Sequence, residues 1–421
     1  MPGAVYNAVE RVRKRPGKVK DGALKGLKVL EFGEFICAPY CGKLLADLGA
    51  EVIKLEKPGQ GDSARGWGPF PGDIPHPEKS GLFLFLNTNK LGITLDVRTG
   101  AGKDIFYRLV GWADVLIESH PPAEMESLGL NYASLSRLNP SLVMTSISPF
   151  GQTGPYRDYR GCDLISAHMS GEAFGNPAEG VNDLERYGPL KGPMHAADFM
   201  TGLTAAVSTM PEVLVRQANG TGRHIDISAQ EALTSVSRQE LAFCMCEGLC
   251  PTRELGRKRR GGVLYPCRDG FVCLWIGPHW PKMVEMMGKP DWTQAEMFQT
   301  PMGRAEHVED FDRLVSLWTL RYTAGEIDNA AIAHGVPCSP IRSVKDVIAD
   351  EQLAYRDFFI EIDHPEAGVL KYPGAPYKLS ATPWQIRRRA PLLGEHNAEV
   401  YCRRLGYSEA DLKKMTQAGV I

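Results

Sequence analysis

Between residues 27 and 148 the spacing of apolar positions switches repeatedly between a strand period and a helix period. The run LKVLEF (27–32), bounded by Gly26 and Gly33, is short and largely apolar, as a strand covered on both faces requires. Pro39 opens PYCGKLLADLGA, whose apolar residues recur at helical spacing until Gly49 supplies a stop. EVIKLE then reads as a second strand, and the three pieces predict a βαβ unit with a right-handed crossover. The pattern repeats downstream. A helix from about Gly100 to Trp112 precedes the strand DVLIES, and a helix near Tyr132–Leu138 precedes the strand SLVMTSI. Such alternation predicts a mostly parallel sheet with helices on both faces.

Beyond this region the pattern is looser. From Asp163 to Val215 it turns helical, broken by a Gly/Pro-rich stretch at Gly175–Pro193. HIDISAQEAL (224–233) predicts a strand running into a helix, and ELGRKRRGG (254–262) a basic loop ending in glycines. GVLYPCRDGFVCLWIG predicts a hairpin turning at Arg268-Asp269-Gly270. Helices follow to about Ala333, the Pro-rich segment 355–390 reads as an extended linker, and the last residues predict a pair of helices. Residues 1–25 form a basic N-terminal extension.

Composition narrows the class. At 421 residues the chain is expected to form two to three domains of roughly 150 residues each. Its 43% hydrophobic and 23% charged content is that of a globular protein and excludes a disordered one. No apolar run of about 18 residues exists to cross a membrane, and the N-terminus has no secretory h-region, so no membrane partner is expected. A net charge of −2 argues against a nucleic-acid partner. The ten cysteines are scattered. Cys244, Cys246 and Cys250 cluster without a second Cys/His pair at finger spacing, so no metal is expected and the cysteines read as reduced thiols of a cytoplasmic protein. Serine-hydrolase, phosphate-loop and zinc-protease motifs are absent, and GQGDSARG is a poor dinucleotide fingerprint.

GLKVLEFGEFICAPYCGKLLADLGAEVIKLEKPGQGDSARGW resembles the opening of the family III CoA-transferases, the group of formyl-CoA and carnitine CoA-transferases. LNTNKLGITLDVRTGAGKDIFYRLVGWADVLIES, SPFGQTGPY, GPMHAADFMTGLTAA, HIDISAQEAL, LYPCRDGFVCLWIG, GVPCSPIRSVKDVIAD and APLLGEHNAEVYCRRLGYS follow in the family's order, so the resemblance spans about residues 26 to 421. It implies an α/β fold with a Rossmann-like large domain at 26–220, completed by helices at 390–421, a smaller α/β domain at 241–345, and linkers at 221–240 and 346–389. It also implies an interlocked homodimer, or a heterodimer with a paralogue, with CoA and acyl-CoA as substrates and no permanently bound cofactor.

The family's acylated carboxylate corresponds to Asp198 in HAADFMTG, and its glycine-rich loop over that residue to Gly261 and Gly262. A lone Asp before a helix is otherwise an N-cap. For CoA, the resemblance assigns Lys57 to the nucleotide, Leu95 and Val97 to the adenine, and Ser119 and His120 to the strand end that in relatives reads Asn-Phe. Ser127 stands where relatives have an Arg, so Arg65, Lys90 or Arg98 is expected to supply the missing phosphate contact. Ile36 replaces the glutamine of formyl-CoA transferases, which disfavours formate and oxalate. The α-methylacyl-CoA racemases pair an Asp with a His in a Gly-His-Asp segment; here it reads Gly161-Cys162-Asp163, and a thiol is a poor proton carrier for α-carbon chemistry. His168 and His195 read as structural or substrate-orienting. The competing readings are a racemase, a silent subunit of a hetero-oligomer, and a CoA-binding protein without chemistry.

Overall fold

The structure, a computed structural model, describes residues 21–177, 183, 186–236, 238–248, 252–253 and 263–421. The chain divides into two compact units: Met1–Cys162, Ala196–Ala232 and Ile360–Ile421 form the first, Asp163–His195 and Leu233–Phe359 the second. This division departs from an unbroken 26–220 block. Residues 163–195 group with the second unit, and 360–389, expected as linker, group with the first.

In chain order the elements begin with β1 (Lys28–Phe32), α1 (Cys37–Asp47), β2 (Glu51–Glu56), α2 (Gly81–Leu86), β3 (Lys90–Thr94), α3 (Gly100–Trp112) and β4 (Val115–Glu118). They continue with α4 (Pro122–Leu128), α5 (Tyr132–Leu138), β5 (Val143–Ser148), α6 (Asp163–Met169, in the second unit), α7 (Ala196–Asn219) and β6 (His224–Ser228). The first unit is built on a six-stranded sheet in the order β3-β2-β1-β4-β5-β6. All its pairings are parallel. Because β2 and β3 extend to one side of β1 and β4 to β6 to the other, the order reverses between β1 and β4. In open parallel sheets a ligand crevice forms at such a point, beyond the carboxyl ends of the strands.

Successive residues of each strand serve opposite layers. Leu30, Ile53, Leu116 and Met144 pack on Ile105, Phe106 and Leu109 of α3. Val29, Val52, Val115 and Val143 pack on Leu45 and Ala46 of α1 and Ala205 and Val213 of α7. The free edge of β3 is closed by the last part of the chain. His396 Nδ1 accepts from Gly92 N, Asn397 Oδ1 from Thr94 N, and Tyr401 donates to Thr94 O. A side chain at Gly92 would meet Pro391, so the glycine admits this cover. The segment 390–421 holds a π-helical stretch (Ala398–Arg404) and an α-helix (Glu409–Gln417).

The second unit has an antiparallel sheet of β7 (Val263–Cys267), β8 (Gly270–Leu274) and β9 (Cys338–Pro340), with Cys267 opposite Gly270 across the expected turn. Its own core includes Tyr265, Val272, Trp280, Phe311 and Trp318. From Ile360 on, the first unit also contains the hairpin of β10 (Phe359–His364) and β11 (Gly368–Pro373), inside the segment expected to be an extended linker. No helix among the described residues is long and apolar enough to cross a membrane.

Candidate active site

Asp198 is the third residue of α7, within its first turn, and half-buried. It therefore does not occupy the cap position that a lone Asp before a helix would take. Across from it stands the first residue of α1: Cys37 Sγ lies 3.5 Å from Asp198 Oδ1 and donates to it. Two helix N-termini thus meet at one carboxylate, and each contributes partial positive charge that favours the anion. The helices approach closely there. A side chain at Gly202 would lie 2.6 Å from Cys37 O and 3.2 Å from Tyr40 Cβ. Phe199 packs edge-on against Tyr40 at 4.9 Å.

The β1–α1 loop that delivers Cys37 is held by buried charge. Lys54 Nζ donates to Gly33 O at 3.2 Å and pairs with Asp62 at 2.7 Å and Glu31 at 3.0 Å. Asp62 Oδ1 accepts from Phe35 N at 2.9 Å, and Phe35 has φ 67°, a left-handed conformation rare for a bulky side chain. Gly33 is wedged, since a Cβ there would lie 2.5 Å from both Ala38 Cβ and Ser119 Oγ. Lys90 also pairs with Glu31, at 2.7 Å, and donates to Pro39 O and Asn87 Oδ1. Burial pushes the Lys90 ammonium down to about 8, against the pull of Glu31. Burial opposes the charge on Lys54 too, but Asp62, Glu31 and Glu56 outweigh it and hold its pKa up.

At the β1/β4 switch point the structure brings together Lys57, Leu95, Val97 and His120, all expected from the sequence, around a notch of about 30 Å³ that Phe32 and Arg98 also line. Leu95 and Val97 are buried, and the His120 ring lies 4.0 Å from that of Phe32. Burial lowers the His120 pKa. Ser119 borders the same strand end, against Gly33. Lys57 is partly exposed and pairs with Glu34 at 2.8 Å. Beneath this strand end Glu118 accepts from His120 N, and burial raises its carboxyl to about 7, with Asp226 and Glu124 adding to the shift. Glu34 and Lys57 also line an adjoining cavity of about 580 Å³, a volume in the range of small-molecule sites.

Arg65 lines that cavity as well, yet its guanidinium is engaged elsewhere. It forms a fork with Glu56 (2.7 and 2.9 Å), pairs with Glu78 at 2.6 Å, donates to Pro391 O and stacks over Phe83 at 3.7 Å. With only 2% of the residue exposed, these contacts give Arg65 a structural task in place of the phosphate contact expected of it. Lys90, fully buried on Glu31, departs from the same expectation. Arg98 remains exposed at the crevice mouth. Ser127 is exposed and bonds within its own turn to Glu124 O. Ile36 is fully buried, so its side chain packs beneath the loop. Cys162 is exposed, and His168 is exposed and bonded to Leu164 O. Gly261 and Gly262 lie outside the described residues. Cys37, Glu34 and Glu118 were not foreseen as site residues. Phe32 and Glu118, at the ends of expected strands, could have been found by asking which strands flank the reversal; nothing local marks Cys37.

A family model described as CoA-transferase family III matches residues 24–397. The succinyl-CoA–D-citramalate CoA-transferase of Chloroflexus aurantiacus is 34% identical over 415 residues, covering 94% of this chain and 98% of that protein. The succinate–glutarate CoA-transferase of Agrobacterium fabrum is 31% identical, covering 90% and 94%. Among solved structures, a CaiB/BaiF family protein from Brucella suis superposes with a TM-score of 0.79 at 28% identity, covering 91% of this chain and 100% of that one.

Proposed function

The chain belongs to CoA-transferase family III, and on that premise we propose that it moves CoA from an acyl-CoA thioester to a free carboxylic acid with Asp198 as the covalent carrier. The observation that supports this reading most is the position of Asp198: a carboxylate inside the first turn of α7, half-accessible, at the meeting of two helix N-termini.

The chemistry runs in balanced steps. An Asp198 carboxylate oxygen attacks the thioester carbonyl, the C–S bond breaks, and CoA thiolate leaves a mixed anhydride. The thiolate attacks the aspartyl carbonyl, the anhydride C–O bond breaks, and the donor acid departs as its carboxylate, leaving an aspartyl-CoA thioester. The acceptor carboxylate attacks that thioester and expels CoA thiolate again. The thiolate then takes the acceptor's acyl carbon, and Asp198 is restored. Each CoA thiolate expelled is the nucleophile of the following step, and the donor acid and Asp198 leave as carboxylates, so no external acid, base or oxidant is required. Holding the thiolate close matters more than its intrinsic reactivity, and such positioning supplies several kcal/mol.

The crevice at β1/β4 is the proposed seat of the CoA nucleotide, with Leu95 and Val97 against the adenine and Lys57 at the phosphates. His120 and Ser119 shape its floor. Succinyl-CoA is the proposed donor, since both relatives named above act with a succinyl or succinate partner. The proposed acceptor is a larger organic or aromatic acid. An interlocked homodimer, or a heterodimer with a paralogue, belongs to the same reading; α7 leaves Leu203, Val207 and Leu214 exposed, as an oligomer face would. A reducing, cytoplasmic setting belongs to the same reading, and the described cysteines form no disulfide.

The test is mass spectrometry of the chain after incubation with succinyl-CoA and hydroxylamine. A hydroxamate confined to the Asp198 peptide is the expected result. It should vanish in Asp198→Ala together with at least about a thousandfold of turnover, while CoA binding persists. Full turnover with Asp198 unmodified overturns the carrier role.

A further inference from the structure

We propose that Cys37 is a positioning residue for Asp198: its thiol, delivered by a loop tied at Gly33 and Phe35, donates to Oδ1 and fixes the rotation of the carboxyl group. The inference rests on the carrier role of Asp198 and adds a second side chain to it.

The distance alone would not suffice. What gives it weight is how the loop is built. Gly33 is tied through its carbonyl to the buried Lys54, and Phe35 through its N–H to the buried Asp62. Phe35 is held at φ 67°, a conformation that persists in a bulky residue only where the surroundings impose it. Ile36 is fully buried behind it. The next residue is Cys37. On the facing helix, Gly202 is required for α7 to approach Cys37 O at all. Both partners of the S–H···O contact are therefore set by rigid elements, across a sequence separation of 161 positions.

The choice of thiol has a chemical logic. A carboxylate that is to attack a carbonyl must be oriented, yet a strong donor on it would draw off the electron density the attack needs. S–H is a weak donor. It limits rotation about the Cβ–Cγ bond at little cost in nucleophilicity.

Two variants separate this role from mere volume filling. Cys37→Ala removes the donor, and Cys37→Ser keeps one. Cys37→Ala is expected to lower kcat about tenfold, with KM for succinyl-CoA within about twofold of the parent. Cys37→Ser keeps the orientation but with a stronger donor, so it is expected to recover part of that loss, short of the parent, at the same KM. Hydroxylamine trapping on the same samples keeps the two readings apart. Trapping at Asp198 in the parent chain, with Cys37→Ala at parental kcat or with the Ala and Ser variants equally impaired, overturns the positioning role and leaves the carrier role standing. Turnover in the parent without any trapped Asp198 withdraws both.

Discussion

Arg65 and Lys57 stand near the carboxyl end of the same strand and line the same cavity, yet the fold uses them in opposite ways. Arg65 is buried against two carboxylates, a carbonyl and an aromatic ring. Lys57 is partly exposed and has Glu34 beside it. The same contrast separates two regions. On one side, Glu31, Lys54, Lys90 and Asp62 form a sealed charge network under the β1–α1 loop. On the other, the β1/β4 crevice presents lightly held polar groups on an apolar floor. Basic residues near the proposed CoA crevice are thus of two kinds, and partner count with burial tells them apart where sequence position does not.

The contrast breaks most visibly at Arg65. Replacing it with Met leaves Glu56 and Glu78 without their cation, and losing one partner of a buried pair costs about 3–5 kcal/mol. Urea unfolding should show that loss. A variant of parental stability whose only defect is a raised KM for acyl-CoA would return Arg65 to the ligand set.

A smaller effect sharpens the crevice side. Glu118 is held at about 7 against an ordinary 4.5, so between those values the folded chain keeps a proton that the unfolded chain has lost. Its contribution to stability therefore falls as pH rises from about 4.5 to about 7, then levels off. Glu118→Gln should remove that slope, a difference of order 3 kcal/mol across the window, seen by comparing urea midpoints of parent and variant near pH 5 and pH 8. Parallel pH profiles for the two chains would show that the carboxyl is charged throughout.

The smallest effect is at Lys57. An exposed pair contributes little, so Lys57→Ala should leave stability within about 0.5 kcal/mol of the parent. If Lys57 meets a CoA phosphate, KM for acyl-CoA should rise about tenfold and the effect should fade with added salt. An unchanged KM would remove it from the crevice.

Much of this was legible before any coordinates. The strands at 28–32, 51–56 and 143–148 are buried along nearly their whole length and read as apolar runs. The helix at 100–112 has one apolar face and agrees residue for residue with its expected span. The strand KLGIT escaped because Lys90 and Gly92 interrupt its apolar character. Both make sense only through distant partners, Glu31 for the lysine and Pro391 for the glycine. The hairpin at 359–373 lay hidden in a Pro-rich stretch, although FIEIDH alternates as a half-covered strand does. At the site, Asp198 came from family resemblance, since its local pattern allowed a helix cap equally well. For Arg65 the sequence left a ligand contact and a structural one undistinguished, because charge and position along the chain say nothing about how many carboxylates will surround a side chain after folding.

The tether from Asp62 to Phe35 has an engineering consequence. The β1–α1 stretch, which carries Cys37 to Asp198, is one that loop exchange between relatives would target. Its unusual backbone, however, is imposed from 27 positions downstream. A swapped loop will adopt its donor's shape only if the downstream aspartate and the lysine that neutralises it travel with it. Chimeras that respect this three-part module should retain turnover, whereas those cut at the loop's own boundaries should fold and lie idle.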